Sequence, residues 1–216
     1  MTNSQNKVEI IFVNGPPRSG KDTVGALLVQ HSPRVVRTMK FAKELKDRVH
    51  LAYKLFNSNG GGPIPTEIFD AVKDQPQEFF FGKTPREVYI AFSEDFMKPT
   101  HGEGIFGRML LQNLKRGIEQ EAAHLPENKR TEFIVITDSG FRCEAEPIIE
   151  HFGAENCRLL QLQREGCSFD NDSRNYIHLE DLGIVSHYIV NPENDIPGLL
   201  ATLKETLADV FLSIVR

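Results

Sequence analysis

Short apolar runs alternate along this chain with segments of helical spacing. Val8-Glu9-Ile10-Ile11-Phe12-Val13 is apolar and β-branched, which predicts a buried strand over 8–14. Further strands are expected at 34–39 (RVVRTM), 132–138 (EFIVITD), 158–163 (RLLQLQ) and 187–190 (HYIV). Helical patterns cover Val24 to Val29, Phe41 to Phe56, 84–96, 106–123 and 142–152, and Pro197 to Val215 reads as an amphipathic closing helix. Such alternation predicts an α/β fold of three layers, a parallel central sheet of about five strands with helices on both faces. Two irregular regions break the rhythm, about 57–103 and about 164–185, and the first opens on the loop-forming run NSNGGGPIP. In open parallel sheets, ligands bind beyond the carboxyl ends of the strands, so insertions there are positioned to cover a substrate. With no internal repeat, residues 1–216 read as one domain carrying two insertions.

The first strand runs straight into Gly15-x-x-x-x-Gly20-Lys21, within IFVNGPPRSGKDT at 11–23. The bare string is weak, but strand, glycine loop and helix in that order are what a phosphate-binding loop needs. Glycines let backbone N–H groups close around an anion, and Lys21 adds a compact charge that reaches the outer phosphates. The helix starting near Gly20 points its positive dipole end at the same oxyanions. One departure stands out, because the usual Ser or Thr after the lysine is Asp22, with Thr23 one place later.

Composition narrows the classes. The 216 residues are 40% hydrophobic and 25% charged, enough for a good core, and the net charge of -5 comes without a Lys/Arg run of nucleic-acid type. A nucleic-acid polymer is therefore not an expected partner. Cys143, Cys157 and Cys167 are odd in number and widely spaced, against a disulfide scaffold or a zinc site. The polar start MTNSQNK is no signal peptide, and no apolar run approaches membrane-spanning length. A reduced, soluble, cytoplasmic protein without membrane partners is the expectation.

Candidate chemistry then concentrates at strand ends. Asp138 closes an apolar strand, where a carboxylate helps hold Mg2+ or orient a substrate; a plain helix N-cap before Phe141-Arg142 is the alternative. Asp22 repels a triphosphate unless Mg2+ or an arginine such as Arg18 intervenes, and Thr23 is placed to supply the missing hydroxyl; a plain helix-start role is the alternative. Cations that could surround a migrating phosphoryl group are Arg18, Lys43, Lys46, Arg86, Arg142, Arg164 and Arg174. Ser19 reads as a loop hydrogen-bonder, Glu144 and Glu146 as capping or solvated helix residues, and Phe79-Phe80-Phe81 as core in preference to a base stack.

Several stretches together resemble the phage-type deoxynucleoside monophosphate kinases, a branch of the P-loop kinases. Arg18-Ser19-Gly20-Lys21-Asp22-Thr23 is similar to that family's R-S-G-K-D-T, so Asp22 looks like a family trait. Phe41-Ala42-Lys43-Glu44-Leu45-Lys46 resembles its F-A-x-x-L-K segment near the acceptor nucleotide, and Thr84-Pro85-Arg86-Glu87 the start of its next substrate-side helix. Asp138 to Glu146 (DSGFRCEAE) resembles its D-x-R-F-x-N-E-A-E block, with the arginine displaced to Arg142; Gln163-Arg164 and the polar stretch after it look like its lid, whose usual His-x-Ser-Glu ending is here Asn171-Asp172-Ser173-Arg174. The resemblance implies transfer of the γ-phosphoryl of ATP to a (deoxy)nucleoside 5′-monophosphate, with ATP and Mg2+ required and nucleotides as partners, and it allows a homodimer. It implies an ATP site of Gly15, Arg18, Ser19, Gly20, Lys21, Asp22 and Thr23, and catalytic roles for Lys21, Arg18 and Arg164. The acceptor would meet Lys46, Arg86, Asp138 and Arg142, with an acceptor-side insertion at about 57–103; Mg2+ would meet Asp22, Thr23 and Asp138, and 164–185 would be the lid. Animal-type phosphomevalonate kinases share the loop, so another small phosphorylated acceptor is the rival, and an ATP-binding regulatory module without transfer is the other.

Overall fold

The apolar runs at 10–13, Phe133–Ile136 and within Cys157–Gln163 form buried strands, while the edge strands have shorter apolar runs and are more exposed. The computed structural model describes residues 8–56, 64–170 and 172–212. Among them, β1 (Glu9–Asn14), β2 (Val36–Met39), β3 (Phe133–Ile136), β4 (Cys157–Gln163) and β5 (Val185–Val190) make one sheet in the order β2-β3-β1-β4-β5. Every pairing is parallel. β1 and β3 lie inside the sheet and are covered on both faces, which is why they read as continuous apolar runs without polar alternation.

The pleat divides β1 between two cores. Ile11 and Val13 face α1 (Lys21–His31) and, further along the chain, the closing helices, through Val24, Leu27, Leu28, Leu199, Leu203 and Val210. Ile10 and Phe12 face the opposite layer, where α2 (Phe41–Ala52) contributes Phe41. In the first insertion α3 (Pro85–Ala91) runs through a π-helical turn at Phe92–Met97 into α4 (Lys98–His101). α5 (Ile105–His124) and α6 (Arg142–Phe152) complete that layer with Phe106, Leu110, Leu114, Ala145 and Ile148. α5 crosses α6 so closely that a Cβ on Gly107 would strike the backbone of Glu144, so glycine is required there. The expected closing helix breaks at Leu207 into α7 (Ile196–Thr206) and α8 (Ala208–Phe211), and its last residues lie outside the described ones. No helix among the described residues is long and apolar enough to cross a membrane.

The insertion after α2 builds a small core of its own from Val49, Leu55, Phe69, Phe80, Val88 and Tyr89. Thr84 and Glu87 close a capping box at the start of α3, with Pro85 in its first turn. Of the three expected core phenylalanines only Phe80 is fully buried; Phe81 is 88% exposed with φ at 55°, a costly backbone for a bulky side chain. Most of the glycine run at 57–65 lies outside the described residues.

His50 sits at the centre of this small core. Its Nδ1 is 2.9 Å from the Ile64 carbonyl and its Nε2 2.8 Å from the Tyr89 hydroxyl. A carbonyl only accepts, so Nδ1 carries the proton and Nε2 accepts from Tyr89, leaving the ring neutral. Burial lowers its pKa below the ordinary 6.5. The unfolded chain therefore binds this proton more readily. The stability contributed by the pair is full above about pH 6.5 and is lost as the pH falls toward the folded value. Urea midpoints measured from pH 7.5 to 5 should fall in the wild-type protein, and His50→Gln should flatten that fall.

Candidate active site

β1 and β4 are neighbours, yet the chain leaves β1 toward β2 on one side and β4 toward β5 on the other. The crevice at their carboxyl ends is thus a topological switch point, the usual ligand position in an open parallel sheet. Gly15 to Gly20 occupies it. Gly20 has φ of 98°, and a Cβ there would strike Asn191; a Cβ on Gly15 would lie 2.7 Å from Ser19 Oγ and 2.9 Å from the Leu162 carbonyl. Arg18, exposed at the turn, also holds a left-handed backbone with φ of 65°. Lys21 Nζ folds back and donates to the carbonyls of Gly15 and Pro16, both at 2.7 Å. Ser19 Oγ is buried without a hydrogen-bond partner among the described residues. Burial, and then the charge of Arg174, press the Lys21 ammonium down to a pKa of about 8.

Two long-range asparagines hold this loop, and the sequence pattern did not mark either. Buried Asn14 donates to the carbonyls of Ser139 (2.8 Å) and Asn175 (3.1 Å) and accepts from the amide of Ile177 at 3.2 Å. It ties the loop's entry to the end of β3 and to the second insertion. Asn191, just after β5, donates from Nδ2 to the Ser19 carbonyl at 2.7 Å. Asn191→Ala should cost about 1–3 kcal/mol by orphaning that buried carbonyl. Thermal melts and donor-nucleotide titrations would both register the change.

Asp22 is neutralised by a group the sequence reading passed over. Its Oδ1 pairs with Lys40 Nζ at 2.9 Å and accepts from Thr137 Oγ1 at 2.8 Å. Burial raises the Asp22 pKa, but the bonds from Lys40 and Thr137 outweigh it and hold the carboxyl below its ordinary value. Thr23 follows on the first turn of α1, partly buried. Asp138 accepts from the amides of Phe41 (Oδ1, 2.8 Å) and Ala42 (Oδ2, 2.8 Å). It therefore closes the start of α2, whereas α6, the helix of the alternative capping role, has Phe141 as N-cap and no side-chain cap. Burial still pushes its pKa up against those amides. Among the described residues no three His, Cys, Asp or Glu side chains gather as a metal cage. A metal here would take one or two protein oxygens, from Asp22, Thr23 or Asp138, with phosphate oxygens and water completing its shell. That arrangement suits Mg2+.

The cations sort unevenly. Arg174, in the second insertion, lays its stem across Gly140, where a Cβ would strike it, and grips Asp172 through Nε (2.8 Å) and Nη2 (2.6 Å). Its charge is felt at Lys21, Asp138 and Glu144. Arg164 instead stands 3.8 Å from Glu193 beyond β5. Arg142, expected at the acceptor, spends its fork on Asp181 (2.6 and 2.7 Å) and its Nε on Glu146 (2.8 Å), which fastens the second insertion to α6. Arg86 pairs with Asp74 at 2.5 Å on the exposed start of α3. Lys46 bonds Asp70 and lies 5.8 Å from the Tyr89 ring centre. It lines a cavity of about 260 Å3 with Thr38, Lys40, Lys43, Thr66 and Asp70. Of the four expected acceptor residues, only Lys46 lines this cavity, paired with Asp70; Asp138 is bound to the amides at the start of α2, and Arg86 and Arg142 are held in other pairings.

Glu144 also departs from its reading as a solvated helix residue. α5 closes over it, and burial, followed by the nearby charge of Asp138, raises its pKa to about 8. Lys98 Nζ, bonded to Glu94 at 2.6 Å and 4.8 Å from the centre of the Phe141 ring, contributes the first opposing charge.

No family model matches the chain, and no curated protein sequence matches it. Among solved structures, an unliganded sugar kinase from Janibacter sp. HTCC2649 aligns over 94% of this chain and 95% of its own, with a TM-score of 0.36 and 13% identity. A likeness so slight says nothing of substrate or reaction.

Proposed function

We propose that the protein is a nucleoside monophosphate kinase, moving the γ-phosphoryl of ATP to a (deoxy)nucleoside 5′-monophosphate. The observation that carries this reading is a glycine loop with Lys21 and Arg174 beside it, opening next to a cavity lined by Lys40, Lys43 and Lys46 together with Glu67 and Asp70. A site for a triphosphate and an adjoining cleft whose lysines, now paired with Asp22, Asp47 and Asp70, can turn to a second phosphate are what transfer between two phosphorylated partners requires. The choice of a nucleotide as acceptor rests on the sequence resemblance.

In this reading the loop amides, Ser19 Oγ and Lys21 hold the β- and γ-phosphates. Lys21 exchanges the carbonyls of Gly15 and Pro16 for phosphate oxygens. Mg2+, when bound, would supply positive charge that offsets the charge of the triphosphate. Asp22 and Thr23 are placed to hold it, and Lys40 keeps the Asp22 carboxylate from repelling the donor. Lys46 and Lys43 draw the acceptor phosphate toward the γ-phosphorus. An acceptor oxygen forms the new P–O bond as the bond to the β-phosphate bridging oxygen breaks, and ADP leaves. The attacking oxygen is already anionic, so positioning and charge suffice without a side-chain base. Arg18 and Arg174 face the charge that spreads over the transferring group, and a closing lid excludes water.

Lys46→Ala should raise KM for the monophosphate at least tenfold and leave KM for ATP near its wild-type value. Steady-state kinetics with each substrate varied in turn would show the split, and an equal rise in both would remove Lys46 from the acceptor side.

A further inference from the structure

A second cavity, of about 530 Å3, opens between α2, the π-turn with α4, and α5. Its α2 residues, Arg48 and Leu51, lie roughly 140° around the helix from Lys43 and Lys46, so it is separated from the acceptor cleft by the helix itself. Phe92, Phe96, Met97, Ile105 and Met109 form its apolar wall. The Phe92 and Phe96 rings are 5.4 Å apart and tilted by 57°, and Phe96 is 51% exposed. Its polar groups are Arg48, Arg108, His101 and Gln112, and no carboxylate lines it. Arg108 is held on the His101 carbonyl, whereas Arg48 has no ion-pair or hydrogen-bond partner among the described residues.

We infer that this groove is a second ligand site, taking a small anion that carries an aromatic ring, with nucleotides as the class that joins both features. Two guanidinium groups over an apolar floor with aromatic edges recognise a phosphate and a stacked ring together. The volume lies in the range of small-molecule pockets, about 300–1,000 Å3. The site goes beyond the proposed transfer reaction and does not depend on it. Its wall is also connected to the catalytic side. The π-turn lends Phe92, Phe96 and Met97 to the groove, while its Glu94 holds Lys98 against Phe141 at the start of α6. Phe141 and Glu144 follow Asp138 on the same chain segment, so a ligand that shifts the π-turn shifts the neighbours of the acceptor cleft. π-turns are rare and recur at functional sites.

The test is calorimetric titration of ATP and the four deoxynucleoside triphosphates into the Lys21→Ala/Lys46→Ala protein, in which both proposed substrate sites are weakened. At least one nucleotide should still bind with one-to-one stoichiometry. Adding Arg48→Glu and Arg108→Glu should weaken that binding at least tenfold, and so should the single exposed change Phe96→Ala, which serves if the charge reversals fail to fold by circular dichroism. Absence of binding up to millimolar nucleotide, or binding indifferent to these changes, overturns the site. A wild-type protein that transfers no phosphoryl group but still binds nucleotide in this groove would sink the proposed reaction and leave this inference standing.

Discussion

Lys21→Ala is expected to reduce phosphoryl transfer by about 100- to 1,000-fold, the usual cost of removing one preorganised cationic or donor group from a charge-developing site. Among the described residues the ammonium donates to the carbonyls of Gly15 and Pro16, and burial with Arg174 nearby outweighs the charges of Asp22, Asp172 and Asp138 and lowers its pKa to about 8. Between pH 8 and its ordinary 10.5 the unfolded chain holds this proton and the folded one does not, so the charge at neutral pH costs the free fold stability. Alanine should therefore leave the melting temperature within a few degrees of wild type or above it, while activity collapses. The same lysine predicts a pH dependence: kcat/KM for ATP should fall as the pH rises through about 8, as the free protein loses the cation that meets the donor. Near-normal turnover of the variant at pH 7 would remove Lys21 from the reaction.

Arg174→Ala should be the second large loss, about 1,000-fold or more in kcat, on the scale of arginines that neutralise a transferring phosphoryl group. The guanidinium is already oriented by Asp172, its stem rests on Gly140, and its charge reaches Lys21. Such a group acts mainly on the transition state, so kcat should fall much further than ATP affinity. Arg174→Lys should not restore the rate, because a point charge cannot reproduce the fork. Arg164→Ala, by contrast, should cost less than tenfold, since that side chain is set beside Glu193. If Arg164→Ala were the crippling change and Arg174→Ala were mild, the role proposed for Arg174 would fall and Arg164 would take it.

The sheet was legible because β1 and β3 are buried on both faces and must be apolar throughout. The glycine loop was legible because its function depends on local backbone, and local backbone is written in local sequence. What escaped depends on partners far along the chain. Asp22 and Lys40 are eighteen positions apart, and nothing near Asp22 announces a lysine at the end of β2. Asp138 sits before one helix but caps another, because the parallel sheet sets the end of β3 beside the start of α2. Arg164 looked like the lid cation because it leaves a strand end. The chain then doubles back, and Asn14 pins it at Asn175 and Ile177, so Arg174 is the one that returns over the loop. Arg142 was expected at the acceptor, and nothing in the local sequence marked Asp181 as its partner. Glu144 was misread for a similar reason: a carboxylate in a first helical turn is ordinarily solvated, and only the glycine-mediated approach of α5 buries it.

The most direct measurement is the transfer of label from [γ-32P]ATP, with Mg2+ present, to a panel of nucleoside and deoxynucleoside monophosphates, with phosphomevalonate and an acceptor-free control alongside. The account predicts labelled diphosphate from one or a few of the nucleotides, and its loss in Lys21→Ala. Label appearing only as free phosphate, or only on phosphomevalonate, would contradict it.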